Sequence, residues 1–190
     1  MNSLKLSPDE ILQAEYDYIA QCAFQANEDR ARVASFYLVS VGSLIAAILG
    51  TQFANGFSEW VYRAFGLLFV VLTVLGVLTI FQLARLRAAW NSAAKAMNAI
   101  KSFYLEKYPD LSIAFIWLEP PKLGKWYSIS NILRIQVGLL SGITFAAAFY
   151  TFIRSFYVEL PLWAWFLTII SPIGIFILEG YGYYKLIKMA

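Results

Sequence analysis

Very few kinds of reactive side chain are available to this protein. The 190 residues include no histidine and one cysteine, Cys22. Without an imidazole there is no Ser-His-Asp or Cys-His catalysis, and the commonest metal ligand is missing. One thiol can build neither a zinc site nor an iron–sulfur framework, and it cannot close an intrachain disulfide. No GxxxxGK[ST] phosphate loop occurs. Glu179, followed by Gly180-Tyr181-Gly182, is the one acid next to a long apolar run. A carboxyl there can hold a proton or a cation. The favoured reading is an interfacial acid beside Lys185 and Lys188. The other acids fall in water-facing segments, so no hydrolytic carboxylate pair is expected inside an apolar environment. The chain is therefore expected not to be an enzyme, and to use no cofactor, metal or nucleic-acid partner.

The elements that must position these residues are set by where charge is absent. Hydrophobic residues make up 60% of the chain and aromatics 17%, well above the 45–50% apolar content usual for soluble domains. No charged residue lies between Arg32 and Glu59, Arg63 and Arg85, Arg134 and Arg154, or Glu159 and Glu179. A helix crossing the ~30 Å hydrocarbon core needs about 20 apolar residues. Those four gaps hold 26, 21, 19 and 19 residues. The expected fold is therefore all-α: an integral membrane protein with four transmembrane helices, spanning roughly Val33–Phe53, Ala64–Ala84, Ile135–Ile153 and Leu160–Leu178. The expected organisation is a helix over 1–32, a transmembrane hairpin over 33–84, and a helix continuing the second span over 85–107. A linker over 108–134, a second hairpin over 135–178 and a tail over 179–190 complete it.

Basic residues orient the spans. Thirteen of the 15 Lys and Arg residues fall in the N-terminal segment, the central segment and the tail; only Arg63 and Arg154 fall in the short hairpin loops. The positive-inside rule then puts both termini in the cytoplasm, at a cell inner membrane. Aromatic girdles agree, with Phe57, Trp60, Tyr62, Tyr150, Phe156, Tyr157, Trp163 and Trp165 at the outer ends. Trp126, Tyr127, Tyr181, Tyr183 and Tyr184 occupy the inner ends. Residues 1–32 contain six acids and no apolar core of a cleavable signal, so the first span is expected to be retained.

Ser7-Pro8-Asp9-Glu10 reads as a helix start with a capping box. The next Pro or Gly is Gly42, so one helix is expected from Pro8 through the first span. No proline interrupts Trp60–Tyr108 either, and Pro109 is expected to stop the second helix near Lys107. An apolar stripe at Leu86, Trp90, Ala93, Met97, Ile100 and Tyr104 alternates steps of four and three, as in a coiled-coil seam. Leu12, Tyr16, Ile19, Ala23 and Ala26 do the same on the first helix. The two stripes can pack on each other as a cytoplasmic antiparallel hairpin, or one can lie on the membrane or a partner. A turn centred near Gly56–Phe57 sets Glu28 opposite Arg85, Asp17 opposite Lys95 and Glu10 opposite Lys101. Beyond Tyr108 the pattern breaks. Leu111–Leu118 is too short to span, and Glu119-Pro120-Pro121, Lys122, Gly124, Lys125 and Trp126 read as an interfacial or lightly structured linker. Such a basic, Trp-bearing segment can also contact anionic lipid. Ser128 or Ser130 is expected to cap the third span, and Pro172 to kink the fourth.

Small residues recur at helix-packing spacing: Gly138, Gly142 and Ala146 on the third span, and Gly42, Ala46 and Gly50 on the first. Such faces pack within one chain or between copies. Four spans enclose little, so any pore lined by Ser35, Ser43, Thr73, Thr79, Ser141 and Thr144 requires several copies.

The capped first helix, Glu28-Asp29-Arg30-Ala31-Arg32 at the membrane edge, the tight hairpin and the long helix Arg85–Lys107 together resemble the SLATT class of bacterial membrane effectors. The resemblance covers about the first 107 residues and lies in the layout, not in a motif; the second pair of spans departs from that class's two. It implies an oligomeric, pore-type or defence-associated effector gated through its cytoplasmic helices. The alternative is a non-conducting scaffold or accessory subunit, and a small ion-coupled carrier is a third reading. The expected partners are the lipid bilayer and either further copies of the chain or a larger membrane complex. Cysteines introduced at Asp17 and Lys95 are expected to crosslink if the first two helices pair as described; no crosslink, with working control pairs, would refute the hairpin.

Overall fold

The first helix begins as its sequence requires. The Ser7 amide donates to Glu10 Oε2 at 2.9 Å, and the Glu10 amide donates back to Ser7 Oγ at 3.3 Å, so each side chain satisfies an amide left open by the helix end. In the computed structural model, which describes residues 7–51, 58–113, 115, 128–157 and 159–189, this start opens helix α1, Pro8–Thr51. Three more long helices follow: α2 Glu59–Lys107, α3 Ile129–Arg154 and α4 Leu162–Met189. A 3₁₀ turn, Pro109–Ile113, comes directly after α2. The turn at Gly56–Phe57, the girdle residues Trp126 and Tyr127 and the linker from Glu119 to Lys125 lie outside the described residues.

All four helices are long and apolar enough to cross a membrane. With 44 and 49 residues, α1 and α2 extend for ~66 and ~74 Å, about twice the ~30 Å hydrocarbon thickness. Pro109 cannot continue α2, and the helix closes with the Tyr108 amide donating to the Tyr104 carbonyl at 2.8 Å. In α4, Gly180 and Gly182 cause no break, and the helix runs on to Met189.

Among the described residues, the backbones of α2 and α3 each approach all three other helices, whereas those of α1 and α4 stay apart and only their side chains come near each other. The core therefore lies along the α2–α3 seam and is completed from both sides. Ala34, Tyr37 and Val41 enter from α1, Leu72, Ile80, Leu83 and Ala84 from α2, Val137 from α3, and Tyr183 and Ile187 from α4. The outward faces are apolar as well, with Phe166, Ile169, Ile173 and Ile177 exposed along α4. Polar side chains such as Thr73, Ser141, Thr144 and Glu179 are instead buried. This distribution inverts that of a water-soluble bundle.

Beyond the core, α1 and α2 continue side by side. Tyr104 donates to Asp9 Oδ1 at 3.5 Å, and Leu12, Tyr16, Ile100 and Lys101 share a cleft. The facing charges do not pair. None of Glu28/Arg85, Asp17/Lys95 or Glu10/Lys101 forms an ion pair; the ion pairs among the described residues run along single helices, Asp29–Arg32 at 3.7 Å and Glu59–Arg63 at 3.8 Å. The physical reason is that a surface pair contributes only ~0–1 kcal/mol. Water competes equally well for these groups, and Glu10 is taken by its cap.

The small-residue faces have separate fates. Gly138 and Gly142 are consumed in packing α3 on α4. A Cβ on Gly142 would lie 2.9 Å from the Pro172 carbonyl oxygen and 3.2 Å from its Cα, whereas nothing lies within 4 Å of one on Gly42 or Gly50. Ala46 is exposed and Ala146 half-buried. Pro172 deprives the Thr168 carbonyl of its helical donor, and the Ser171 hydroxyl donates to that oxygen at 3.4 Å, a local repair of the kind membrane helices use. Gly142→Val is expected to lower detergent-solubilised thermal stability by ~1–3 kcal/mol through overpacking, while Gly174→Val, where nothing lies within 4 Å of an added Cβ, leaves it unchanged. Equal effects of the two substitutions would contradict this packing.

Candidate functional site

Four helices each send one residue to a single buried point. Glu179 on α4 is 7% exposed, Tyr37 on α1 2%, and Ser141 on α3 0%; Gly76 on α2 leaves the room between them. A Cβ on Gly76 would lie 2.6 Å from Tyr37 Oη and 2.8 Å from Ser141 Oγ. Only a residue without a side chain lets these groups meet.

The Ser141 hydroxyl donates to Glu179 Oε1 at 2.6 Å, a short O–H···O hydrogen bond. Glu179 Oε2 has no hydrogen-bond partner. It faces Gly138, where a Cβ would lie 3.2 Å away. Tyr37 Oη is also without a well-formed hydrogen bond, although Thr144, Ser141 and Glu179 are its polar neighbours. From Ser141 the polar groups continue along α3. The Thr144 hydroxyl donates to the Ser141 carbonyl at 2.9 Å and lies 3.1 Å from the Thr73 hydroxyl. A crevice of about 250 Å³ between α2 and α4 is lined by Val77, Ile80, Phe81, Ile175, Leu178 and Glu179, while the carboxyl itself is turned to α3 and buried.

The depth of the carboxyl follows from its partner. Ser141 is seven residues from Arg134 and thirteen from Arg154, or ~10 and ~20 Å along the helix. Within that charge-free stretch the carboxyl lies about a third of the way in. Sequence alone put Glu179 at the inner edge of its span, as an interfacial acid or a proton or cation site. In the structure its side chain is buried, because α3 offers Gly138 for space and Ser141 for a bond at the height where α4 presents the acid.

Arg134 lies nearer the end of the bundle, its guanidinium 5.4, 5.8 and 5.5 Å from the Phe176, Tyr183 and Tyr184 rings. Its charge acts on Glu179, but the two form no ion pair within 4 Å. Two further arginines, Arg30 and Arg87, act with Arg134 on Tyr183. One terminal nitrogen of Arg30 donates to the Ser130 hydroxyl. Ser128, at the N-cap of α3, makes no side-chain cap bond.

One carboxyl and several hydroxyls form an oxygen-only donor set. It suits a proton or a monovalent cation, since divalent calcium takes six to eight oxygens and usually several carboxylates. Of the six proposed pore-lining residues, Thr73, Ser141 and Thr144 meet in this cluster. Thr79 is buried but bonds its own helix at the Leu75 carbonyl, and Ser35 and Ser43 lie on the exposed side of α1. Tyr37 and Gly76 went unnoticed in the sequence, and Arg30 was read only as a charge at the membrane edge. Continuing the four-three stripe past Ala26 reaches Arg30 and Tyr37, which is the signal that could have found two of them.

Comparisons with protein-family models, curated proteins and solved structures return no match to this chain.

Removing the Tyr37 hydroxyl tests the geometry. Tyr37→Phe is expected to leave stability unchanged or to raise it by ~1 kcal/mol, because a buried polar group without a bond is costly. A loss of stability in thermal unfolding would show that the hydroxyl is bonded.

Proposed function

We propose that this is an ion-handling membrane protein of the channel type, with four spans, both termini in the cytoplasm and several copies in the working assembly. Glu179 carries this reading. It is an ionisable side chain buried among four apolar helices, with one oxygen unbonded. Ionisable residues inside a membrane are costly, and they mark proton and ion paths.

The Glu179–Ser141–Tyr37 cluster is where a proton or monovalent cation is taken up. Thr144 and Thr73 extend the polar path from it. Placing 13 of 15 basic residues on one side supports the orientation, and the exposed apolar faces support a lipid surround. One bundle fills its own interior, so conduction needs more than one copy. The open face of α1, with Ser35, Gly42, Ala46 and Gly50 all exposed, is the contact such copies would use. Because α1 is one uninterrupted helix from Pro8 to Thr51, a shift of its water-exposed half is transmitted to Tyr37. The cytoplasmic halves of α1 and α2 are accordingly the gating element. This is the pore-type activity that the resemblance to SLATT effectors implies.

Purified protein in sealed liposomes is expected to dissipate an imposed pH or potassium gradient. Glu179→Gln is expected to reduce that flux to the level of empty vesicles without changing the protein's mass in detergent. Dicyclohexylcarbodiimide, an apolar reagent for protonated carboxyls, is expected to label Glu179 and block the wild type. Liposomes that stay tight with folded wild-type protein would overturn the reading and favour a non-conducting scaffold.

A further inference from the structure

A second polar cavity lies where α3 begins. It is a cleft of about 430 Å³ between α1, α2 and α3, with Asn27, Arg30, Arg87, Trp90, Ser130 and Leu133 in its walls. Arg30 is nine-tenths buried. Its Nε donates to the Ala26 carbonyl at 3.3 Å, and a terminal nitrogen donates to the Ser130 hydroxyl. The guanidinium is held rigidly against the cleft. Arg87 lies over the Trp90 ring, 4.8 Å from its centroid. The two arginines are near enough to repel each other. No carboxylate answers them: among the described residues neither is in an ion pair, and Asp29, next to Arg30 in sequence, is paired with Arg32.

Converging guanidiniums, one of them desolvated, cost free energy unless an anion joins them. The cleft also receives the first turn of α3, a 26-residue helix. The Asn131 amide is taken by the Ser128 carbonyl at 2.8 Å, and the amides of the first turn together carry the positive end of the helix dipole. Donors thus arrive from three helices in different directions. A tetrahedral anion with several oxygens accepts such an arrangement, and arginine is the side chain best matched to phosphate. Arg32, Arg85 and Arg134 begin the charge-free stretches at this end of the bundle, which sets the cleft at the height of lipid headgroups. Basic pockets between helices at that height hold anionic headgroups in other membrane proteins.

We propose that the cleft formed by Arg30, Arg87, Ser130 and the start of α3 binds an anionic phosphate group. Two sources share this chemistry, the headgroup of an anionic phospholipid and a soluble phosphate. The site stands independently of the ion-handling reading, since its readout is binding and not flux.

The test uses the full-length protein in a neutral detergent, titrated with dioctanoyl phosphatidylglycerol, dioctanoyl phosphatidylcholine or inorganic phosphate, and followed by thermal unfolding. Phosphatidylglycerol is expected to raise the midpoint saturably, and phosphatidylcholine is not. Inorganic phosphate acting as well would assign the site to a free anion, while phosphatidylglycerol acting alone would assign it to the lipid. Arg87→Gln, at a partly exposed position that leaves the Arg30–Ser130 contact intact, is expected to weaken binding roughly tenfold, as loss of one hydrogen bond to a charged group does. Arg30→Lys keeps the charge but loses the fork geometry, and is expected to weaken binding as well. Equal response to both lipids, or unchanged binding in folded Arg87→Gln, would overturn the proposal.

Discussion

Burying a carboxyl among apolar helices obliges the helices themselves to provide everything water would have provided. At Glu179 that provision is incomplete. One oxygen receives a short bond from Ser141, the other none. What the bundle provides in full is space. Gly76 and Gly138 stand where any larger residue would collide with Tyr37, Ser141 or Glu179. The close approach of α3 to α4 at Gly142 and Pro172 belongs to the same arrangement, because it holds Ser141 within reach of the acid. The tight α3–α4 contact and the polar centre are thus one feature. The helices are near enough to pack without large side chains, and the gap that remains is polar.

The two polar sites are linked by continuous helices. On α1, Arg30 and Tyr37 are seven residues apart, ~10 Å along the axis. On α3, Ser130 and Ser141 are separated by eleven residues, ~16 Å. On α4, Glu179 and Tyr183 are one turn apart. No loop or break interrupts these stretches. An anion held beside the Arg30–Ser130 contact would clamp the ends of α1 and α3, and the same two helices carry Tyr37 and Ser141 to Glu179. A rigid coupling of this kind needs no hinge. It needs only two arrangements of the α1–α3 packing that the carboxyl site distinguishes.

Stability is distributed unevenly along the molecule. In the bundle, buried apolar residues from four helices meet around Tyr37, Ile80, Leu83 and Val137. Past Arg30, α1 and α2 keep a narrow stripe against each other, and an exposed hydrogen bond between Tyr104 and Asp9 joins their far ends. The charges that face each other there do not close into ion pairs. That half is held by apolar contact over a small area and is expected to open more readily than the rest.

Composition and order alone determined the architecture. Four charge-free stretches dictate four long apolar helices, Ser7 to Glu10 dictates where the first begins, and Pro109 dictates where the second ends. These are local or one-dimensional properties, settled by the length of a helix in oil and by the chemistry of a cap. The site is not of that kind. Glu179 lies 38 residues from Ser141 and 142 from Tyr37, and nothing in the spacing tells whether it faces lipid, water or another helix. That depends on how α4 is rotated against α3, which is decided by where Gly138, Gly142 and Pro172 allow the two backbones to meet. The same holds for the arginines. Read along the chain, Arg30 and Arg87 are ordinary basic residues at a membrane edge. Only the packing of α1, α2 and α3 turns them toward one cleft, because side-chain direction follows from helix rotation and not from sequence separation.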